Sequence, residues 1–130
     1  MKRLLLILLV AATAAAAPKP WIGMGLKLRN DASGGRFLYV VRAPADAPAY
    51  QAGVRDGDLI TAIDGKPVRF RDDLDVLEFT AALRPGKVLK LRLIRAGKPQ
   101  ELKVRVGELP AEYEALWEES LRRARAARRP

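Results

Sequence analysis

The fold is decided by one stretch of the sequence, Ala47-Pro48-Ala49-Tyr50-Gln51-Ala52-Gly53-Val54-Arg55-Asp56-Gly57-Asp58-Leu59-Ile60-Thr61-Ala62-Ile63-Asp64-Gly65. Gly53 and Gly57 allow backbone angles that other residues avoid, so the chain can turn sharply around the apolar Val54. The apolar residues between Leu59 and Ile63 then predict a short strand. The Asp64-Gly65 pair that follows is a strong signal for a tight turn. Together these signals indicate a small β-rich domain.

The same stretch closely resembles the centre of a PDZ domain, because residues 52 to 65 follow the pattern A-G-[VL]-x-x-G-D-x-I-x-x-I-[ND]-G. The version here is similar to the bacterial form found beside high-temperature-requirement-type proteases, site-2 proteases and carboxy-terminal processing proteases. The resemblance extends from about Trp21 to Leu109. It implies an α+β fold, a partly open antiparallel β-barrel or sandwich of five to six strands with two helices. A C-terminal helix outside the resemblance is added to this domain.

Composition restricts the chemistry that the chain can perform. The 130 residues include no cysteine, which excludes disulfides and thiolate metal sites, and no histidine, the commonest general base and metal ligand. Ser33 and Ser120 are the only serines, and neither lies in a nucleophile motif. We therefore expect no enzymatic activity, no metal and no cofactor. The net charge of +9 is compatible with anionic partners but does not identify one.

Residues 1 to 17 have the pattern of a secretory signal peptide. A positive start, Met1-Lys2-Arg3, precedes an apolar run from Leu4 to Val10 and a small-residue stretch with A-x-A cleavage sites from Ala11 to Ala17. The apolar run alone is too short to span a bilayer, so an uncleaved membrane anchor is the weaker alternative. We expect a periplasmic or secreted product. The predicted domains are the signal peptide (1–17), the PDZ-like domain (18–110) and an amphipathic, Arg-rich C-terminal helix (111–130).

The segment Trp21 to Leu28 is predicted to be the first strand, and it contains the candidate binding loop. Ile22, Gly23 and Met24 resemble the carboxylate-binding loop of the family, in which a glycine turn presents consecutive amides to a peptide's terminal carboxylate. Met24-Gly25-Leu26 also fits the apolar-Gly-apolar pattern, so the register of the loop stays open. The first register leaves alternate apolar residues along the strand, and Gly25 then weakens the strand or marks a bulge.

The resemblance also implies a peptide-binding groove between this strand and a helix. Leu26 and Leu28 would lie on the strand that pairs with the peptide, and Phe37 to Val41 is a candidate neighbouring strand after a polar loop from Arg29 to Arg36. A helix is predicted from about Asp72 to Leu83, with acidic residues at its start and Pro85-Gly86 after its end. It has two apolar stripes, one of Leu74, Leu77 and Ala81 and the other of Val76, Phe79 and Leu83 with Thr80 beside them, and the pattern alone does not decide which one faces the groove. The candidate groove residues are those of the first stripe.

Alternating residues predict a hairpin made of Val88 to Arg95 and Gln100 to Val106, joined by residues 96 to 99. One face is apolar. The other face carries four positive charges, Lys90, Arg92, Lys103 and Arg105, which repel one another mildly across a sheet. Charged outer faces also protect sheets against aggregation, and we favour that explanation over an anionic partner.

The tail from Ala111 to Arg129 is strongly helical, with glutamates in its first half and arginines in its second, an order that suits the helix dipole. Tyr113, Leu116, Trp117, Leu121 and Ala124 form a stripe that could dock on the domain. The chain is thus predicted to bind extended peptides or protein carboxy termini by strand addition. It would act in trans as an adaptor or sensor, with an envelope protease or its substrate as a partner and no nucleic acid.

Two other functions stay open. The groove could be occupied by the Trp117-bearing helix of the same chain, which would make the protein a structural or interaction protein. Alternatively, the arginines from Arg122 to Arg129 could contact a membrane surface through anionic lipid, or bind a polyanion. Binding of the second kind would weaken steeply with salt, whereas carboxylate capture by amides would not.

Overall fold

The computed structural model describes residues 17 to 128. The predicted signal peptide lies outside the described residues except for Ala17, as do Arg129 and Pro130. The strands are β1 (Pro20–Trp21), β2 (Gly25–Asn30), β3 (Arg36–Arg42), β4 (Leu59–Ile63), β5 (Lys66–Pro67), β6 (Val88–Arg95), β7 (Lys98–Arg105) and β8 (Gly107–Glu108). The helices are α1 (Pro48–Gln51), α2 (Asp73–Ala81) and α3 (Glu114–Arg128), with a short 3-10 turn at Ala111–Tyr113.

The main sheet is antiparallel and has the strand order β2-β3-β4-β6-β7, with β5 paired to β4 beside this path. A second, very short sheet joins β1 near the start of the described chain to β8 near its end. The open main sheet with flanking helices confirms the predicted α+β class and its partly open antiparallel architecture. None of the helices within residues 17–128 has both the length and the apolarity needed to cross a bilayer.

The central stretch forms the predicted turn, strand and second turn. Gly53 and Gly57 have positive φ angles of 110° and 87°, and the Val54 between them is fully buried. Asp64 (φ 50°) and Gly65 (φ 77°) make the tight turn between β4 and β5. Of the two domain helices that the resemblance implied, bounds were predicted only for α2. The other helix is α1, which begins at Pro48, a position where the missing N–H of proline costs nothing.

A buried carboxylate ties this stretch to the hairpin. The side chain of Asp58 is 1 % exposed, and its two oxygens receive Nε and Nη2 of Arg95 at 2.8 and 2.7 Å. The Arg55 amide donates to the same carboxylate at 2.8 Å, and Arg95 also reaches the Gly53 carbonyl at 2.7 Å. Burial alone would raise the pKa of Asp58, but the hydrogen bonds from Arg95 and Arg55 outweigh it and lower the pKa. This ion pair thus holds the residue before β4 against the last residue of β6.

The predicted hairpin is present with a shorter connection. Ala96 and Gly97 have positive φ angles of 50° and 75° and form a two-residue turn, so β7 begins at Lys98 and not at Gln100. The alternate leucines of β6 are buried as expected. On the outer face Glu101 stands opposite Arg92 and lies 3.8 Å from the amine of Lys90, so this face is not purely positive.

The predicted first strand is wrong in one respect, because two strands occupy its residues. Trp21 pairs with Gly107 in the small sheet, and β2 starts only at Gly25. Between them Gly23 has a φ of 76°, which interrupts extended structure. The following loop is also shorter than predicted, since β2 continues to Asn30 and β3 already begins at Arg36. The Asp31 carboxylate closes this loop by accepting the Gly35 amide at 2.7 Å.

Helix α2 lies within the predicted range and is capped as its sequence indicated. The Asp72 side chain accepts the Asp75 amide at 3.0 Å, so Asp72 is the N-cap. The stripe formed by Val76, Phe79 and Leu83 packs with the main core. The fully buried side chains of that core come from β3, β4, β6 and the β7 region, and include Leu38, Val40, Ile60, Leu89, Leu91, Leu93 and Val104. The other stripe of α2 is therefore free to face something else.

Candidate functional site

An open groove of about 770 Å³ lies between the loop at residues 22–24, the start of β2, helix α2 and helix α3. The same groove also borders on β1 and on the end of β3. Its walls are mainly apolar, with a few charged side chains. The residues that line it from β1, the loop, β2 and α2 include Trp21, Ile22, Gly23, Met24, Gly25, Leu26, Leu74, Val76, Leu77 and Thr80.

The loop at the end of the groove depends on Gly23. Its φ of 76° lies in the left-handed region, and a side-chain carbon at this position would overlap the Cβ of the buried Ala47. The Ile22 carbonyl accepts the Ala49 amide at 3.0 Å, which ties the loop to α1. Gly25, by contrast, has no positive φ and lies at a register shift in the β2–β3 pairing, the bulge that the sequence suggested. The turn of the loop is therefore made by Gly23.

Two amide groups of this loop are available to an outside acceptor. The N–H groups of Gly23 and Met24 donate to no acceptor within residues 17–128. Consecutive amides next to a positive-φ residue form a concave site that suits an anion. Arg42 also lines the groove, and its guanidinium forms no ion pair in the described part of the chain. This end of the groove is therefore rich in donors and positive charge.

Strand β2 presents one free edge. It pairs with β3 on one side and lies at the end of the strand order, so its other edge has no strand partner in the range 17–128. Exposed strand edges carry unpaired N–H and C=O groups and can accept another strand. Gly25 and Leu26 of this strand line the groove directly. An extended chain in the groove would thus meet a ready backbone partner.

The far end of the groove is charged. The guanidinium of Arg128 donates to the carboxylate of Asp72 and, at 2.8 Å, to that of Asp75, while Arg71 bonds Asp75 at 3.0 Å. Hydrogen bonds from Arg71 and then from Arg128 lower the pKa of Asp75, and those from Arg128 and the Asp75 amide lower the pKa of Asp72. Both carboxylates are therefore ionised over the ordinary pH range and keep α3 beside α2.

Helix α3 forms a further side of the groove. Near the loop, the Tyr113 ring stacks on Trp21 with centroids 5.8 Å apart, and Glu118 pairs with Lys19 at 3.1 Å. The sequence predicted an amphipathic tail that could dock on the domain and left its position in the groove as an alternative. The α3 side chains that line the groove are Leu116, Trp117, Ser120, Arg123, Ala124, Ala127 and Arg128.

The structure brings six of the eight predicted site residues to this groove, namely Ile22, Gly23, Met24, Leu26, Leu74 and Leu77. It does not bring the other two there. Leu28 packs against the core from β2, and Ala81 is exposed and does not line the groove. Thr80, which the sequence placed beside the other stripe of α2, lines the groove where Ala81 was expected. At about 100° per residue Thr80 lies between the two stripes, so its position in the helical pattern does not show whether it faces the groove.

One lining residue was missed by the sequence analysis, and a further set was anticipated only as an alternative. Arg42 ends β3, and only the pairing of Gly25 with Arg42 brings it to the loop. The apolar stripe of the tail was expected to dock on the domain, and its position in the groove was one of the alternatives left open; four of its five residues, Tyr113, Leu116, Trp117 and Ala124, line the groove. Over residues 17–128, no cluster of three or more acidic residues is arranged to hold a metal ion.

Comparison with known proteins agrees with this architecture. A family model described as a PDZ domain matches residues 20–106. A probable periplasmic serine endoprotease, DegP-like, of Rhizobium meliloti strain 1021 is 38% identical over 73 residues, which are 56% of this chain and 14% of that protein. The chain thus spans only a small part of this relative.

Solved structures show the same likeness. A variant of the HtrA-type protease AlgW, determined with a decapeptide, superposes with a TM-score of 0.61 and 26% identity, over 72% of this chain and 30% of that one. The HtrA3 PDZ domain bound to a phage-derived ligand gives a TM-score of 0.56 at 20% identity, over 70% of this chain and 88% of that one. Since the family model covers well over half of the sequence, the chain belongs to the PDZ domain family.

Proposed function

We propose that this protein binds extended peptides and protein carboxy termini in the groove by adding them as a strand to β2. The observation that carries the proposal is the pair of free amides at Gly23 and Met24, directly before the unpaired edge of β2. Strand addition of this kind is a general peptide-recognition mode of which PDZ domains are an example. Main-chain hydrogen bonds supply affinity in this mode, and side-chain pockets supply specificity.

Each part of the groove has a role in this proposal. The free amides of Gly23 and Met24, together with the Ile22 amide that the family resemblance implies, hold the terminal carboxylate, and Arg42 adds a positive charge beside them. The edge through Leu26 and Leu28 pairs with the peptide backbone, and this role needs only the main chain of Leu28, whose side chain packs against the core. Leu74, Leu77 and Thr80 contact the last side chains of the peptide. Ala81 has no part in it.

We also propose that the chain acts by binding alone, as an exported adaptor or sensor for an envelope protease or for the substrate of one. Periplasmic serine endoproteases among its relatives and the signal-peptide pattern of residues 1 to 17 support this assignment. The peptide-bound state of the AlgW variant and of the HtrA3 PDZ domain supports a peptide as the ligand. The ligand of the latter, FGRWV, ends in apolar residues.

The basic tail offers little support for the lipid or polyanion alternative. Arg122 and Arg123 both pair with Glu119, and Arg128 is engaged by α2. These arginines are therefore partly neutralised within the domain. The self-occupied groove is also disfavoured, because α3 leaves about 770 Å³ open.

The proposal is tested with a library of fluorescent peptides that have free carboxy termini, compared with the same peptides amidated. We expect apolar-ended peptides to bind and amidation to weaken binding by about tenfold or more, since each tenfold corresponds to about 1.4 kcal/mol. Leu77→Asp places a charge in the groove and should abolish binding. Ala81→Asp places the same charge at the exposed last residue of α2, which does not line the groove, and is the matched control.

Equal binding of the free and amidated peptides would overturn the carboxylate role of the loop. Binding that survives Leu77→Asp would overturn the groove as the site. Steep loss of binding between low and high salt, with no effect of amidation, would instead support a polyanion-type interaction.

A further inference from the structure

Helix α3 runs along the whole groove. It is fixed near the loop by the Trp21–Tyr113 stack and the Lys19–Glu118 pair, and at its other end by the bonds from Arg128 to Asp72 and Asp75. The 15 residues of α3 make a helix about 22 Å long, and residues from both of its halves line the groove. The position of α3 is thus defined at both ends.

The side chains that α3 presents to the groove become smaller along the helix. Toward the loop it carries the large apolar side chains of Leu116 and Trp117, and toward the start of α2 it carries Ser120, Ala124 and Ala127. Leu116 is 64% exposed, which makes it the most exposed large apolar residue within residues 17–128. A large side chain of this kind on a groove wall is available to a ligand.

The volume of the groove beside α3 shows whether this helix forms one side of the groove or fills it. With α3 in place the groove still has about 770 Å³, within the range of about 300–1,000 Å³ typical of ligand pockets. The edge of β2 also stays unpaired over residues 17–128, because α3 is a helix and cannot take the place of a strand there. Helix α3 therefore narrows the groove without filling it.

We infer that α3 is a third wall of the peptide groove, and that Leu116 and Trp117 select peptides with a large apolar side chain at the carboxy terminus. The inference rests on the proposed function and adds its specificity. Leu116 and Trp117 lie on the α3 half nearest the loop, where the terminal residue of a peptide held by the Gly23 and Met24 amides would be. The domain without this helix would offer only the α2 and β2 sides to that residue.

The test compares two fluorescent hexapeptides with free carboxy termini that are identical except for a final phenylalanine or alanine. Leu116→Ser should weaken binding of the phenylalanine peptide by about fivefold and that of the alanine peptide by less than about twofold, since only the large side chain reaches α3. Val88→Ser is the matched control, because Val88 is an exposed apolar residue (44%) that does not line the groove. It should change neither affinity.

A second variant keeps the inference falsifiable if the first one lowers stability. Leu116→Gln keeps a good helix former at this exposed position but removes the apolar contact, and it should weaken the phenylalanine peptide more than the alanine peptide. Equal effects on both peptides, or tighter binding by Leu116→Ser, would overturn the inference and leave the proposed function intact. If the unmodified chain binds neither peptide, the proposed function itself fails, and the inference fails with it.

Discussion

The carboxylate of Asp58 and the guanidinium of Arg95, 37 positions apart in the sequence, meet in a two-point ion pair of 2.8 and 2.7 Å. The acid is almost fully buried, while the base keeps about a third of its side chain exposed. This asymmetry makes the two partners unequal in their effect on stability. Removal of the base leaves a buried charge, which is the costlier loss.

We expect Arg95→Met to lower the free energy of unfolding by about 3 kcal/mol, because Asp58 would lose its main partner. Arg92→Met, on the exposed face of the same strand, should change it by less than about 0.5 kcal/mol. Urea denaturation followed by circular dichroism measures both. A loss in Arg95→Met no larger than in the control would contradict this account.

The same pair predicts acid sensitivity. Hydrogen bonds hold the pKa of Asp58 below its ordinary value of 3.8, so its stabilising contribution is present above that value and is lost as the pH falls below it. Unfolding midpoints should therefore decrease between about pH 4 and pH 2, and less so in Arg95→Met. An identical decrease in both proteins would assign the acid sensitivity to other carboxylates.

Gly23→Ala should disrupt the loop, because the added methyl group would overlap Ala47 and the residue would keep a φ of 76°. Gly34→Ala has a similar φ of 85° but meets no atom within 4 Å, so it isolates the backbone cost, about 1 kcal/mol. We expect Gly23→Ala to lower the free energy of unfolding by about 2 kcal/mol more than this control does and to abolish peptide binding. Thermal melts and the binding assay together decide the point.

Arg42→Gln should weaken free-carboxylate peptides several-fold and leave the residual binding of amidated peptides unchanged, since Arg42 is at the groove end that holds the free loop amides. Lys27→Gln is the control, because Lys27 is an exposed cation on β2 that does not line the groove. Fluorescence polarisation at two salt concentrations measures both variants. An equal loss for both would point to the general positive charge of the domain.

Asp72→Ala should destabilise the protein by about 1 kcal/mol, because it removes the N-cap of α2 together with one acceptor of Arg128. Asp73→Ala, an exposed acid in the first turn, retains the cap and should cost less than about 0.5 kcal/mol. The difference between the two is measured by chemical denaturation. Similar costs would mean that the general acidity of this end matters, and not the cap.

Arg128→Gln should speed amide hydrogen exchange in the last turns of α3 while it leaves the β6 and β7 amides unchanged. Exposed ion pairs contribute about 1 kcal/mol or less to global stability, so the effect should be local. Arg125→Gln is the control, since Arg125 forms no ion pair within the described chain. Faster exchange throughout the sheet would mean that α3 is part of the cooperative core.

Much of the fold could be predicted because its signals are local. The alternation of Leu89, Leu91 and Leu93, the Asp64-Gly65 turn and the acidic cap of α2 are all visible within a few residues. The strand boundaries that were predicted wrongly also have local physical causes. Ala96 accepts a positive φ that nothing in an alanine indicates, and Gly23 interrupts what otherwise reads as one strand.

The candidate site was harder to predict because its parts come from distant segments. The loop was found only through the family resemblance, and the choice between two near-equal stripes of α2 needed the packing of Phe79 and Leu83 on the core. Arg128 and Asp72 are 56 positions apart, and Lys19 and Glu118 are 99 apart. No pattern within one segment reports such contacts.

The anchoring of α3 has a consequence for the timing of ligand exchange. Ion pairs and one aromatic stack hold this helix at its ends and Leu121 is its one buried residue, whereas the sheet is held by a continuous buried core. Detachment of α3 would open one side of the groove without destabilising the sheet. The residence time of a bound peptide would then follow the opening rate of a single terminal helix, and salt would shorten it even where the contacts to the peptide are apolar.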